Sequence, residues 1–302
     1  MDKLNVIIVY YNFMKYQRRK QLTIEFIERM LKYDKINLYI VELILDGDDF
    51  EITDGFNKNH LQIKTNYILW FKENLINIAV DKLLDIDWKN FAWMDSDIMF
   101  ENNDWIDNVL NELNNYDIIQ LFSKAYQLDI NNNITSYSYG CIKYNMNRNK
   151  YIIDDQHTHP GYAWAISKNG YNKIIKLPDM FIVGGADSRI AYGILNIDLY
   201  ISNYEEENIY FCEEFKKYII EYQNKISMLS FSYIECNIYH FYHGNIKNRQ
   251  YFNRHKLLSE YNYNPFTDLK YNKDGLIEPT NNFSTDLLCC IKKYFYNRKE
   301  DD

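Results

Sequence analysis

The stretch FAWMDSDIMFENNDW, residues 91–105, places two acidic residues directly after an apolar run. Residues 91–94 predict the end of a buried strand, and Asp95 and Asp97 follow where that strand leaves the core. Side chains at i and i+2 of an extended segment point to the same side, so the two carboxylates are expected to lie close together. Because like charges repel, the pattern predicts a cation between them. The alternative is a pair of solvated loop carboxylates, or a cap for a helix over 98–110.

Strands and helices alternate before this acidic pair. The runs NVIIVYY (5–11) and NLYIVELIL (37–45) are continuously apolar, which is typical of parallel strands covered on both faces. Residues 22–31 and 67–84 carry apolar side chains at helical spacing. This order predicts an α/β fold with an open, mostly parallel, Rossmann-like sheet flanked by helices. Ligands of such sheets bind beyond the carboxyl ends of the strands, where the acidic pair stands.

The pattern after the acidic pair is less regular. We predict helices over 104–113, 167–175 (capped by Ser167), 209–228 and 248–258; strands over 117–123, 161–167 and 233–244; a strand, glycine turn and helix over 181–195; and a loop or irregular hairpin over 129–160. Neither a repeat nor a linker interrupts the chain. The simplest division is one domain over 1–265 and a C-terminal extension over 266–302, whose charged end NRKEDD is the stretch that most favours disorder.

Composition narrows the class of protein. The chain has 302 residues, 47% hydrophobic and 17% aromatic, which is enough for a large core. Its net charge of −8, without a basic patch, disfavours nucleic acid as a partner. Five cysteines without framework spacing fit a reducing, cytoplasmic location. The sequence has no apolar run long enough for a transmembrane helix and no signal-peptide pattern at its start, and it leaves the oligomeric state open.

A second cluster of polar side chains lies in YHFYHGNIKNRQY, residues 239–251. His240 or His243, together with the two aspartates, makes a plausible site for Mn²⁺, while Mg²⁺ fits the carboxylates alone. Lys247 and Arg249 would neutralise a diphosphate. The alternative is a histidine packed among aromatic rings, with the two cations on a solvated helix face.

A third cluster lies in FIVGGADSRIAYG, residues 181–193. Gly184 and Gly185 predict a tight turn into a helix, with Asp187 in its first turn. An acid at that position is favoured by the helix dipole, which is one reading. The other is a carboxylate that faces a cleft and accepts a proton from a substrate hydroxyl.

Four segments in this order resemble the GT-A fold glycosyltransferases: FAWMDSDIMF, HPGYAWAISKNGY, FIVGGADSRIAYG and YHFYHGNIKNRQY. The resemblance spans about residues 3–260 and is similar to the family-2-like, DxD-containing branch. It implies a metal-dependent hexosyltransferase that moves a sugar from a nucleotide-sugar to a hydroxyl of a glycan, glycoprotein or small-molecule acceptor. A UDP-sugar is the default donor, and inversion is the expected stereochemistry, with retention left open by the sequence.

The resemblance also implies roles for particular residues. Asp187 is the expected catalytic base. Mn²⁺ or Mg²⁺ is expected on Asp95, Asp97 and His243, with His240 as the alternative ligand. Donor contacts are expected from Tyr10, Tyr11, Asn12, Glu42, Asp46, Asn74, Ser96, Lys247 and Arg249. The sugar and acceptor pocket is expected to include Tyr162, Trp164, Gly185 and Ala186, with plain core packing as the alternative for Trp164.

Three rival interpretations remain at this stage. The first is a metal-dependent phosphoesterase, although dehalogenase-type phosphatases have Thr where Met99 stands. The second is a noncatalytic protein that binds nucleotides or sugars. The third concerns the metal, which could instead bind His157 and His159 with Asp154 or Asp155.

Overall fold

Strands and helices alternate along most of the chain in this computed structural model, which describes residues 3–146, 148–152, 154, 156–197, 211–250 and 254–302. The strands are β1 (Leu4–Tyr10), β2 (Ile36–Leu45), β3 (His60–Thr65), β4 (Asn90–Met94), β5 (Ile98–Phe100), β6 (Ile118–Gln120), β7 (Lys124–Leu128), β8 (Ile134–Gly140), β9 (Thr158–His159), β10 (Ala163–Ser167), β11 (Phe231–Tyr233), β12 (Asn237–His240), β13 (Leu269–Tyr271) and β14 (Ile277–Pro279). The α-helices are α1 (Gln17–Met30), α2 (Lys72–Leu83), α3 (Trp105–Glu112), α4 (Cys141–Asn145), α5 (Lys168–Ile174), α6 (Ala186–Ile194), α7 (Glu213–Ile226), α8 (Lys256–Glu260), α9 (Pro265–Asp268) and α10 (Thr285–Asn297), and Ile246–Arg249 forms a 3-10 helix.

The central sheet has the strand order β11-β6-β10-β4-β1-β2-β3. Its strands run parallel except β10, which is antiparallel to both of its neighbours. Side chains alternate between two buried cores: Ile7 packs on one face, whereas Val6 and Ile8 pack on the other. Burial on both faces explains why these strands are apolar at every position. The predicted fold class, an open and mostly parallel sheet flanked by helices in a single domain, is confirmed.

A second sheet, of order β5-β12-β7-β8-β9, adjoins the carboxyl end of β4. In the antiparallel pair of β5 and β12, His240 lies opposite Ile98. The backbone N–H of Phe241 donates to the carbonyl of Asp97 at 2.8 Å. This register therefore brings the histidine segment to the acidic pair, more than 140 residues away in the sequence.

Several predicted boundaries are wrong. The helix predicted over 67–84 begins only at Lys72, and 181–183 is part of a turn rather than a strand, with Gly184 N–H donating to the carbonyl of Phe181. The stretch 129–160, predicted as loop or irregular hairpin, does supply β8, which pairs antiparallel with β7 across a register shift at Gln127/Leu128, but it also contains α4 and β9. Strand β3 was not predicted. The cap of α5 is confirmed, because Ser167 Oγ accepts from Gly170 N–H at 3.0 Å. Parts of the helices predicted over 209–228 and 248–258 lie outside the described residues.

The 266–302 segment is packed and ordered. Helix α10 buries Leu287, Ile291 and Phe295 in the same core as α2. The ring of Phe295 lies 6.1 Å from that of Phe13, so this segment packs against the residues that follow β1. The disorder favoured by the composition of residues 297–302 is not observed. None of the described helices is long and apolar enough to cross a membrane.

Candidate active site

The acidic pair lies in a short turn held between two strands. Asp95 N–H donates to the carbonyl of Tyr162 at 2.8 Å, just before β10 begins. Ser96 shares a hydrogen bond of 2.8 Å with Thr23 on α1. These contacts fix the turn at the carboxyl end of β4, where the sequence predicts a ligand site.

Asp97, His240 and His243 converge on one point. Asp97 Oδ2 lies 2.7 Å from His243 Nε2 and 3.7 Å from His240 Nε2, and one potential ligand atom from each residue falls within 4.8 Å of the others. Within the described part of the chain, Asp97 Oδ1 and His240 Nε2 have no hydrogen-bond partner. Buried polar atoms without partners are costly, so a bound cation would satisfy a real deficit here. The residues present therefore fit a divalent metal, with both histidines as ligands rather than only one.

Electrostatics support the same assignment. Burial alone would raise the pKa of Asp97, but the imidazoles of His240 and His243 outweigh it and hold the pKa well below its ordinary value. Burial lowers the pKa of His240 despite the opposing Asp97 carboxylate. An ionised carboxylate and a neutral imidazole are the forms that ligate a metal. A set of two imidazoles and one carboxylate favours Mn²⁺ over Mg²⁺, which prefers oxygen ligands.

Asp95 does not belong to this group of three. Its carboxylate pairs with the ammonium of Lys72, the first residue of α2. Burial and the neighbouring Asp97 raise the pKa of Asp95, although Lys72 opposes them. Burial opposes a charged Lys72, yet Asp95 and Glu73 raise its pKa. The two acids of the DxD motif thus have different partners: Asp97 faces the two histidines, and Asp95 pairs with Lys72.

One cavity joins these groups to other predicted residues, and its volume is about 110 Å³. Ten of the predicted residues line it: Tyr11, Asp95, Ser96, Asp97, Tyr162, Gly185, Asp187, His240, His243 and Arg249. His159, predicted only for the alternative metal site, lines it as well, and so do several residues that were not predicted, among them Arg19, Trp70, Lys72, Glu73, Arg254 and Arg298. Typical ligand pockets measure roughly 300–1,000 Å³, so this volume suits the metal and the reacting groups rather than a whole nucleotide-sugar.

Asp187 reaches the cavity through a contact that requires glycine. It is the second residue of α6, after Gly184 and Gly185, which have φ angles of 87° and 99°. Its Oδ1 accepts from Ser188 N–H at 2.9 Å, within the first turn of the helix. A Cβ on Gly161 would lie only 2.5 Å from its Oδ2. The carboxylate therefore both satisfies an N–H group of the first turn and packs against the backbone before β10.

His159 faces the same cavity, in an environment that keeps it neutral. Its ring stacks on Tyr162 at a centroid distance of 3.8 Å, and its Nδ1 accepts from Gly161 N–H at 3.0 Å. Burial lowers the pKa of His159 to about 3. His157 is exposed instead and contacts Asp154 at 2.8 Å. The alternative metal site on His157 and His159 is therefore not assembled, and Asp155 lies outside the described residues.

Cationic side chains form one wall of the cavity. Arg249 Nη2 lies 2.7 Å from His243 Nε2, and Arg254 and Arg298 donate to the hydroxyl of Tyr294 at 3.3 and 3.0 Å. Arg guanidinium groups suit phosphate oxygens because they offer planar pairs of donors. The predicted cation Lys247 is exposed on the 3-10 helix and does not line the cavity. The cations that line the cavity are Lys72 and the arginines, rather than the predicted Lys247.

The other predicted donor residues have partners within the protein. Glu42 is fully buried and accepts from the backbone N–H groups of residues 51–53, which holds that loop against β2. Asn74 is buried between Asp179 and the backbone of 275–277. Outside the cavity lining are Tyr10 and Asn12, which bond to each other, and Asp46, which is exposed.

Two predicted sugar-pocket residues lie in the core. Trp164 is 1% exposed, and its indole N–H donates to the carbonyl of Pro160 at 2.9 Å. Ala186 is fully buried at the start of α6. Side chains alternate along β10, and Trp164 therefore points into the core between the sheet and the helices. Ala186 belongs to the same core, so neither side chain lines the cavity.

Comparisons with known proteins give distant structural likeness only. No protein-family model and no curated protein matches the chain. Among solved structures it is similar to the catalytic domain of Drosophila beta1,4galactosyltransferase 7 in complex with xylobiose, with 15% identity and a TM-score of 0.35 over 65% of this chain and 62% of that one. A mutant of that enzyme in complex with manganese, UDP-Gal and xylobiose matches with 15% identity and a TM-score of 0.35, over 64% and 61%. A Desulfovibrio desulfuricans G20 protein assigned as a nucleotide-diphospho-sugar transferase matches with 11% identity and a TM-score of 0.35, over 79% and 81%.

This chain thus spans less than two thirds of the galactosyltransferase domain that it matches. At these identities and TM-scores, the likeness fixes neither a family nor an activity.

Proposed function

We propose that this protein is a metal-dependent glycosyltransferase that moves a sugar from a nucleotide-sugar to a hydroxyl acceptor with inversion. The observation that carries the proposal is the convergence of Asp97, His240 and His243 in one cavity with Asp187. A metal site beside a separate carboxylate supplies the two functions that such a transfer needs. They are stabilisation of a leaving diphosphate and removal of a proton.

The residues around the proposed metal site suit the leaving group. We infer that Asp97, His240 and His243 hold Mn²⁺, which would neutralise negative charge on the diphosphate as the sugar departs. Lys72 and the lining arginines supply further positive charge from the chain itself. Lys72 stays protonated because its pKa is raised, so it can donate to a phosphate oxygen. A UDP-sugar is the first donor to test.

The lining residues Asp187 and His159 suit the acceptor. Asp187 accepts the proton of the acceptor hydroxyl while that oxygen bonds to the anomeric carbon, and the bond from that carbon to the diphosphate oxygen breaks. Neutral His159 presents an N–H group nearby, because its Nδ1 is occupied as an acceptor and its proton therefore sits on Nε2. This places a hydrogen-bond donor beside the proposed base for a second oxygen of the acceptor sugar.

A binding and product assay tests the proposal. Melting temperature is measured with a panel of nucleotide-sugars, each with Mn²⁺ and with EDTA, because a ligand of the native state raises it. The donor that responds is then incubated with hydroxyl acceptors, and NMR of the product gives the anomeric configuration. A metal-dependent donor response and an inverted product are expected.

The same assay separates the rival functions. Phosphate release from simple phosphomonoesters without sugar transfer would favour a phosphoesterase. Donor binding without turnover would favour a noncatalytic binding protein. A product with retained configuration would leave the metal site in place but remove the role of Asp187 as base.

A further inference from the structure

The segment 298–302 lies against the turn that carries His243. Gly244 follows this histidine with a φ of 83°, and a Cβ there would lie 2.6 Å from the carbonyl oxygen of Lys299 and 3.0 Å from Cα of Glu300. The carboxylate of Asp301 accepts from the N–H groups of residues 17 and 18, at the start of α1. The segment is therefore fixed on both sides, and glycine at 244 lets it approach the metal ligand.

Glu300 is the residue of this segment whose side chain lies beside His243. It is 1% exposed, and its carboxylate contacts Arg298 at 2.6 Å and Arg19 at 3.2 Å. Two guanidinium groups paired with this one carboxylate favour its ionised form, which can only accept hydrogen bonds.

His243 Nε2 has two close neighbours with opposite requirements: Arg249 lies 2.7 Å away and can only donate, whereas Asp97 Oδ2, also 2.7 Å away, can only accept. A cation bound between Asp97 and Nε2 would need the lone pair of Nε2, so the ring proton would then sit on Nδ1. Glu300 Oε2 lies 3.6 Å from Nδ1, and no polar atom of the described residues comes within hydrogen-bond distance of Nδ1. The carboxylate therefore faces the nitrogen that must carry the proton when Nε2 binds a cation.

We propose that Glu300 is a positioning residue of the metal centre, which holds His243 in the tautomer whose Nε2 can ligate a divalent cation. The inference rests on the proposed function only for the presence of that cation. Carboxylates behind metal-ligating histidines typically change metal affinity by about 10–100-fold when removed. The 298–302 segment is on this view part of the site rather than an appendage to the domain.

The test uses the full chain and Mn²⁺ alone. Mn²⁺ affinity is measured by titration calorimetry, and the tautomer of His243 by ¹⁵N NMR of the imidazole, in wild type and Glu300→Gln. We expect about 10–100-fold weaker Mn²⁺ binding and loss of the Nδ1–H tautomer preference. Glu300→Asp keeps the charge beside Arg298 but shortens the reach to Nδ1, so it covers the case in which the Gln variant does not fold. It too should bind Mn²⁺ more weakly.

Asp117→Asn is the matched control. Asp117 is a buried carboxylate that pairs with Lys173 at 2.8 Å and lies outside the cavity lining. Its loss should lower the melting temperature without changing Mn²⁺ affinity. If Asp117→Asn weakened Mn²⁺ binding as much as the Glu300 variants do, the loss in all of them would be a general effect of destabilisation, and the inference would be overturned.

The outcomes distinguish this inference from the proposed function. Unchanged Mn²⁺ affinity and tautomer in both Glu300 variants, with sugar transfer intact, refute the inference alone. Mn²⁺ binding that weakens as expected, in a protein that transfers no sugar from any donor, supports the inference and refutes the proposed function. A wild-type protein that binds no Mn²⁺ overturns both.

Discussion

Substitution of Gly161 by Ala should displace Asp187 without altering the metal site. The added Cβ would lie 2.5 Å from Asp187 Oδ2 and 3.1 Å from His159 Cε1, whereas ordinary van der Waals contact begins at 3.4 Å. The carboxylate must therefore retreat by the difference between 2.5 and 3.4 Å, about 0.9 Å. Gly161 is not in the left-handed region of φ, so alanine suits the backbone itself and the strain is confined to this contact.

A misplacement of about 1 Å at a reacting group can reduce the rate by about 10²-fold. This corresponds to about 2.7 kcal/mol in the activation free energy. We therefore expect kcat/KM for sugar transfer to fall by about 10²-fold in Gly161→Ala, measured with the donor and acceptor found in the panel. Mn²⁺ affinity should stay the same, because the atoms nearest to the added Cβ belong to Asp187 and His159 rather than to Asp97, His240 or His243.

Gly193→Ala is a matched control that introduces a similar clash on α6, the helix that carries Asp187. Its Cβ would lie 2.5 Å from Cγ2 of Ile226, in the packing of α6 against α7. This variant should lose stability while keeping most of its transfer rate per folded molecule. Near-normal transfer by Gly161→Ala, or an equal loss in both variants, would refute the view that the Asp187 carboxylate must sit against residue 161.

Three further substitutions probe the metal, the base and the buried acid of the cavity. Asp97→Asn should abolish the stabilisation by Mn²⁺, which in wild type amounts to about 2.7 kcal/mol at 100 times Kd, and thermal shift with and without EDTA measures it. Asp187→Asn should reduce transfer by about 10²–10⁴-fold with little change in donor binding or melting temperature; near-normal transfer would leave the residue only a helix cap. Burial raises the pKa of Glu73 to about 7 from 4.5, so its stabilising effect is full below pH 4.5 and is lost as pH rises to about 7. The free energy of unfolding of Glu73→Gln, measured with denaturant, should therefore rise relative to that of wild type by up to about 3 kcal/mol between pH 5 and 8. A difference between the two proteins that does not change with pH would contradict the raised pKa of Glu73.

The part of the site that the sequence predicts is the part encoded by local pattern. Asp95 and Asp97 end an apolar run, so they lie at the end of a strand, and the turn at Gly184–Gly185 places Asp187 in the first turn of a helix, whatever the distant chain does. The choice between His240 and His243 is different, because it depends on the register of β12 against β5. That register is a tertiary property, and it brings both imidazoles to Asp97.

Residues that the sequence missed come from segments without a distinctive pattern. Lys72 begins a helix that looks like any amphipathic helix, and Arg298 and Glu300 stand in a charged stretch whose composition favours disorder. The reverse error has the same origin. Glu42 follows the pattern of a ligand at a strand end, but backbone N–H groups of the loop 51–53 satisfy it completely. A buried acid that serves its own loop and one that serves a ligand look identical in a sequence.

The reversed direction of β10 has a consequence for how this protein can diversify. In a fully parallel sheet, the edge that binds ligands is built from the loops that leave the strands. Here the chain enters that edge before β10, so Gly161 and Tyr162 stand opposite the turn that carries Asp95. The wall beside Asp187 is thus supplied by the connection from the second sheet, and the metal centre by other segments. Tyr162 of this connection also packs against His240, with ring centroids 5.0 Å apart, so a change in the course of the connection would alter the acceptor side and a metal ligand together.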